Sequence, residues 1–126
     1  MRIDNECIRD ILFVIEENST ACSSCYISEK SVEYFRLSGY DIDKLQYHLR
    51  YLRMKGLIFN PDEKACSSYD LSPDGHEFLS NVREESNWNK IKSVSSSIGF
   101  ASLKIISAIS KGVATAAINK HLGFSE

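Results

Sequence analysis

An α+β fold is predicted by three observations. Apolar residues recur at helical spacing near the start, a second amphipathic stretch closes on a Lys-Gly step, and two short β-type runs follow it across a turn-rich tip. The 126 residues, 43% of them hydrophobic and 25% charged, are the length of one ordinary domain and too few for a large enzyme with its own cofactor domain. The formal charge of −2 lacks the overall basic excess of a nucleic-acid binder, so charge has to be read segment by segment.

Asp4 is placed to accept hydrogen bonds from the free N–H groups of a first turn, and Cys7, Ile8, Ile11, Leu12 and Ile15 follow at helical spacing. These predict a helix from Asn5 to Glu17. The polar stretch from Ser19 to Ser24 reads as a loop. Val32 to Leu37, rich in β-branched and aromatic residues and closed by Gly39, is expected as a short strand. Asp41 looks like an N-cap. Behind it Ile42, Leu45, Leu49 and Leu52 form one apolar stripe with His48 beside it, ending at Lys55-Gly56, where glycine can take the left-handed cap. Leu57-Ile58-Phe59 and Ser67 to Leu71 then make a hairpin across Asn60-Pro61-Asp62-Glu63-Lys64.

Ser72-Pro73-Asp74 combines an N-cap, a proline that loses no hydrogen bond in a first turn, and an acid at the positive helix end. One helix carrying Phe78, Leu79, Val82, Trp88 and Ile91 is expected from there. Ser93, Ser95, Ser96, Ser97 and Gly99 should weaken or break it, and Phe100 to Asn119 is apolar again at helical period.

Helix, short strand, helix, two-stranded wing and helix is the element order of a winged helix-turn-helix. On that reading residues 1–94 are a winged-helix domain, 95–99 a Ser/Gly hinge and 100–126 an amphipathic C-terminal helix and tail. A plain α+β domain without a groove-binding helix is the alternative. One departure stands out: no separate second helix is signalled between the strand and Asp41, and Ser38 to Ile42 has room for a single turn.

Several motifs occur in a set order: Arg9-Asp10-Ile11-Leu12, Tyr47-His48-Leu49, Gly56-Leu57-Ile58, Leu71-Ser72 with Gly75-His76-Glu77-Phe78-Leu79, Arg83, and Trp88-Asn89-Lys90-Ile91-Lys92. In these the chain resembles the domain-of-unknown-function 2513 family of small bacterial and prophage proteins, over about residues 2 to 122, with Ala21 to Ser38 fitting least well. The resemblance implies a winged-helix fold and a bacterial or phage origin. It implies no activity, so it assigns no catalytic residue.

On the Ile42 to Lys55 helix the apolar stripe leaves Asp43, Gln46, Tyr47, Arg50, Arg53 and Met54 on the outer half. Lys44, Arg50, Arg53 and Lys55 against Asp41 and Asp43 give this segment +2. Arginine pairs with guanine or phosphate, glutamine with adenine, and tyrosine with phosphate, so the composition suits a recognition helix. The expected DNA contacts are Lys44, Gln46, Tyr47, Arg50 and Arg53, with Lys64 at the wing tip. A solvated helix face would carry much the same charges. Residues 56–89, with two basic and seven acidic side chains, sum to −5, which makes the wing a poor phosphate clamp and favours a protein-interaction adaptor as the competing reading.

Cys22-x-x-Cys25 has the spacing of half a zinc site that Cys66 and His76 could complete, but no second paired motif supports it. The pattern of the family the chain resembles implies a metal-free role for His76, in the first turns of a helix and hydrogen-bonded in the core, and Cys7 reads as a small buried hydrophobe. His48, beside the apolar stripe, reads as a satisfied core histidine rather than a general base. No nucleophile-base pairing or phosphate-cradling glycine loop is found, and the pairs Glu16-Glu17, Asp62-Glu63 and Glu84-Glu85 are adjacent, so on a helix they diverge. No enzyme, cofactor or metal is expected.

In the last segment Lys104, Ser107, Lys111 and Thr115 share a narrow stripe, whereas Ile105, Ile106, Ile109, Val113, Ala116 and Ala117 fill a wide opposite arc. Such an arc must be buried on the protein's own core, on a second copy or on a membrane surface. Ala108, Gly112 and Ala116, spaced by four, allow close helix approach, so Ile105, Ile109, Gly112, Val113 and Ala116 are the expected homodimer contacts. Five lysines against Glu126 give residues 90–126 a charge of +4, which suits DNA phosphates or anionic lipid heads. The first residues, MRIDNECIRD, lack a basic and then apolar start, and no apolar run is long enough to span a bilayer. The expectation is a cytoplasmic regulator that binds duplex DNA as a homodimer, with cysteines as free thiols.

Overall fold

The computed structural model describes residues 1–28, 34–62, 67–99 and 102–123. The fold is α+β, and the described residues form five α-helices and a small three-stranded antiparallel sheet: α1 (Asn5–Asn18), β1 (Cys25–Tyr26), α2 (Ile42–Met54), β2 (Ile58–Phe59), β3 (Ser68–Leu71), α3 (Pro73–Val82), α4 (Glu85–Ile98) and α5 (Leu103–His121). It divides into two compact units, Met1–Glu77 and Phe78–Glu126.

In the first unit Asp4 caps α1, its carboxylate accepting the N–H groups of Glu6 at 3.0 Å and Cys7 at 3.4 Å. Between Cys7 and Ile15 every residue of α1 but Asp10 is buried, so the middle of the helix is covered nearly all round. Asp41 caps α2 through the N–H of Lys44 at 2.8 Å, and α2 ends at Gly56, whose φ of 77° is the left-handed conformation glycine adopts without strain. The strand order is β1-β3-β2, with Cys25 opposite Tyr69 and Ile58 opposite Leu71. Alternation puts those four side chains on the buried face, while Tyr26 and Phe59 are exposed on the other.

The first strand is not where the β-branched and aromatic run placed it. Phe35–Leu37 forms a single 3-10 turn, and the strand is Cys25–Tyr26 instead. A strand would put Phe35 and Leu37 on one face, yet Phe35 is 92% exposed and Leu37 fully buried. The turn is fixed from outside: Arg36 stacks 4.3 Å over the Phe13 ring and reaches carboxylates of Asp10 at 3.8 Å and Glu17 at 3.7 Å. The rest of the expected strand, Val32 and Glu33, lies outside the described residues. Between β1 and α2 the described residues hold this 3-10 turn, which begins three residues earlier than the single turn the sequence had room for.

The helix expected from Pro73 through Ile91 is two helices, broken at Arg83-Glu84. At 3.6 residues per turn, one straight helix would put Phe78, Leu79 and Val82 on nearly the opposite side from Trp88, Ile91 and Ser95, and all six are buried. The break lets both stripes turn inward. The expected interruption at the serine cluster does not occur: α4 runs through Ser93 to Ile98, and only Gly99, with φ 76°, ends it. Helix α5 starts at Leu103 under a Ser102 cap and packs against α4; Phe100 lies outside the described residues.

Ser72 caps α3 as expected, its hydroxyl accepting the Gly75 N–H at 3.0 Å. Gly75 itself sits so near β2 that a Cβ there would lie 2.0 Å from the Leu57 carbonyl oxygen. That oxygen also accepts the Ser72 N–H at 3.0 Å, so it has little freedom to retreat. Gly75→Ala should therefore destabilise the protein by about 1–3 kcal/mol, read as a lower urea midpoint at unchanged slope. An unchanged midpoint would show that the close approach is not maintained in solution.

Candidate nucleic-acid interface

Helix α2 buries Leu45, His48, Leu49 and Leu52 and turns the opposite side to water. His48 is fully buried, and both ring nitrogens are engaged. Nε2 accepts the Asp4 N–H at 2.8 Å, so Nδ1 carries the proton and donates to the Lys44 carbonyl, also at 2.8 Å. It is the satisfied core histidine its position suggested, and it ties the start of α1 to the first turns of α2.

Of the expected DNA contacts, two are engaged within the fold. Lys44 lies 2.7 Å from the Asp4 carboxylate and 5.3 Å over the Tyr40 ring. Arg53 donates at 3.0 Å to Asn60 Oδ1, while Asn60 Nδ2 donates at 2.7 Å to the Ser68 carbonyl, linking the helix to the hairpin. Gln46 and Arg50 are exposed and Tyr47 half-buried; Lys64 lies outside the described residues.

The solvent side of α2 also contains what charge counting missed. Tyr47, Arg50, Tyr51 and Met54 line a shallow groove. The Arg50 guanidinium sits 5.2 Å over the Tyr47 ring and the Lys55 ammonium 5.8 Å over Tyr51, so each ring carries a cation. Met54 is 80% exposed. Its placement follows from its four-residue spacing after Arg50; Tyr51, at the edge of the buried stripe, carries no such signal in the sequence.

The zinc half-site is not assembled by the described residues. Cys22 is exposed while Cys25 is 1% exposed, its thiol within 3.9 Å of the Val14 carbonyl. His76 is exposed on α3, not hydrogen-bonded in the core, and Cys66 lies outside the described residues. Burial pushes the Cys25 thiol above its usual range and the Cys7 thiol up to about 12, which keeps both protonated and unreactive.

In the second unit the buried stripe of α5 is Leu103, Ile106 and Ser110, not the full apolar arc. Ile105, Ile109 and Val113 are half-buried, and Gly112 and Ala116 are exposed. No helix among the described residues is long and apolar enough to cross a membrane.

These features define a small α+β protein whose second helix turns paired cations and rings toward solvent. Residues 2–101 match the family described as "Hypothetical protein (DUF2513)", and the chain belongs to that family. It is also similar to an uncharacterised protein of Haemophilus influenzae, 28% identical over 97 residues that cover 73% of this chain and 76% of the relative. No solved structure matches the chain.

The Asp4–Lys44 pair gives a pH signature. Burial opposes the Asp4 charge, but the Lys44 hydrogen bond and the N–H groups of Cys7 and Glu6 outweigh it and hold the carboxyl below its ordinary 3.8. A depressed acid stabilises the fold above its unfolded value and loses that contribution as pH falls through the folded one. Burial moves Asp10 the other way, despite its hydrogen bond from Tyr40, so the wild-type acid profile mixes both signs. Comparison with Asp4→Asn isolates the first: the wild type should have the higher urea midpoint at pH 7, with the difference shrinking below about pH 4. A difference equal at pH 7 and in strong acid would mean that the charge contributes nothing.

Proposed function

We propose that this chain is a winged-helix DNA-binding protein, a bacterial or phage transcriptional regulator that acts in the cytoplasm as a homodimer and has no enzymatic activity. The observation that carries the reading is the strand order β1-β3-β2, with α2 immediately before the β2–β3 hairpin and its uncovered side turned to solvent. A winged helix needs the same arrangement: the first strand joins the far strand of the wing, and the helix before the wing is left free to enter a major groove. Arg50 is the principal contact. Gln46 and Tyr47 support it, and Arg53 acts from the junction with the hairpin.

A salt titration of duplex binding tests this. Affinity should fall steeply with salt, and the Arg50→Ala/Arg53→Ala double variant should lose about 1–3 kcal/mol at low salt. Binding no tighter than millimolar at low salt, or unaffected by the double variant, would sink the reading.

The aromatic and methionine content of the α2 groove favours a second reading, a protein-interaction adaptor, because Tyr, Met and Arg are the residue types enriched at the centres of protein interfaces. The adaptor predicts a stoichiometric protein partner and no duplex binding.

Dimerisation is proposed through α5, where Ile105, Ile109 and Val113 are only partly covered and Gly112 and Ala116 leave room for a second helix. Light scattering at tens of micromolar should report a dimer, and Ile109→Asp a folded monomer. A monomeric wild type would remove the dimer from the proposal.

A further inference from the structure

We infer that the α4–α5 helix pair supplies phosphate contacts: Lys90, Lys104 and Lys111, with the serine and asparagine side chains on the outer side of α4, grip the backbone of duplex DNA without reading its sequence. This rests on the DNA-binding reading and deepens it, by assigning backbone contacts to a different unit from the one that carries the proposed recognition helix.

The first unit has few cations left for a backbone. Lys44 is closed onto Asp4, Arg36 onto Asp10 and Glu17, and Arg53 onto Asn60. Residues 56–89, which include the wing, sum to −5. Charge is distributed differently further along. Between Glu85 and Glu126 the sequence contains five lysines and no acidic residue, whereas the rest of the chain has more acids than bases. A glutamate three or four positions from a lysine would stabilise an exposed helix, and beyond Glu85 neither α4 nor α5 has one. Among the described residues Lys90, Lys104 and Lys111 are exposed and take part in no ion pair. Their charge is therefore presented to solvent uncompensated, which suits a polyanion.

The outer side of α4 points to the kind of polyanion. At 3.6 residues per turn Lys92 and Lys90 mark the edges of an arc of about 160° that contains Ser86, Asn89, Ser93, Ser96 and Ser97, all exposed. Glu85, at the first position of the helix, is the one acid on it. Serine is a weak helix former, and exposed positions, where packing does not decide, favour stronger ones. Four serines stand there all the same, and the helix runs through them. Hydroxyl, amide and ammonium groups are the side-chain donors that meet phosphate oxygens in DNA complexes. A helix lying in a membrane interface needs an apolar face instead. The exposed apolar residues of this unit, Val94, Ile98, Ile118 and Leu122, do not lie on the arc.

The test uses the full chain and a random-sequence duplex, with affinity measured across a salt series. Each phosphate neutralised contributes about 0.9 to the slope of log affinity against log salt, so the Lys90→Gln/Lys104→Gln/Lys111→Gln variant should show a slope shallower by about 2–3. Glutamine is as good a helix former as lysine at these exposed positions, and arginine at the same three should keep the wild-type slope. A wild-type slope in the glutamine variant, with duplex DNA still bound, overturns the backbone contacts and leaves the recognition-helix reading standing. A wild type that binds no duplex at low salt overturns both, and sedimentation of that protein with vesicles rich in phosphatidylserine would assign the lysines to a membrane surface.

Discussion

A single imidazole holds the first unit in register. His48 accepts a hydrogen bond from the Asp4 backbone N–H on one nitrogen and donates one to the Lys44 carbonyl from the other, across 44 residues of sequence in the first case. The Asp4 N–H lies ahead of the first turn of α1, where the regular ladder does not satisfy it, while the Lys44 carbonyl accepts the imidazole N–H besides its place in the α2 ladder. The ring replaces water at that junction, and leaving the Asp4 N–H unpaired in the interior would cost about 1–3 kcal/mol. Because α1 and α2 meet there, the rotation of α2 about its own axis is set. Leu45, Leu49 and Leu52 face inward, and everything at their backs faces out.

The outward surface is therefore a product of the same clamp, and so is the loss of a cation from it. Lys44 belongs to the turn that His48 anchors, and its ammonium closes onto Asp4, the residue whose backbone the imidazole holds. Asp4 thus serves three neighbours at once, capping α1, pairing with Lys44 and donating to His48. A helix joined to its neighbour in this way presents its remaining side chains from a fixed base.

Much of this was legible in the residues, for identifiable reasons. Asp4, Asp41 and Ser72 are N-caps with side-chain oxygens one residue before a helix whose apolar period follows, a local pattern with few other meanings. Gly56 and Gly99 announced helix ends because the left-handed turn favours glycine. The failures were tertiary. Arg36 and Phe35 look like strand residues until Phe13, Asp10 and Glu17, more than seventeen positions away, pull Arg36 into a turn. The break at Arg83-Glu84 contains neither glycine nor proline, and only the incompatible directions of Val82 and Trp88 betray it. Nor could charge counting tell which cations stay available, since the sequence does not show that Arg53 meets Asn60.

The strand order also has a meaning in time. The middle strand, β3, is the last of the three along the chain, so neither β1 nor β2 has a neighbour until Ser68–Leu71 has been made. Helix α1 packs against β3 as well as against α2, so part of its apolar surface stays uncovered until the same segment arrives. On a ribosome adding about 5–20 residues per second, the first unit passes several seconds as helices without a sheet. The hairpin that closes it is short and local, and hairpins of this kind form within about 1–10 microseconds once both strands exist. Assembly of this unit is thus gated by synthesis rather than by search: the chain carries its keystone near residue 70 and becomes a folded body almost as soon as that stretch is free.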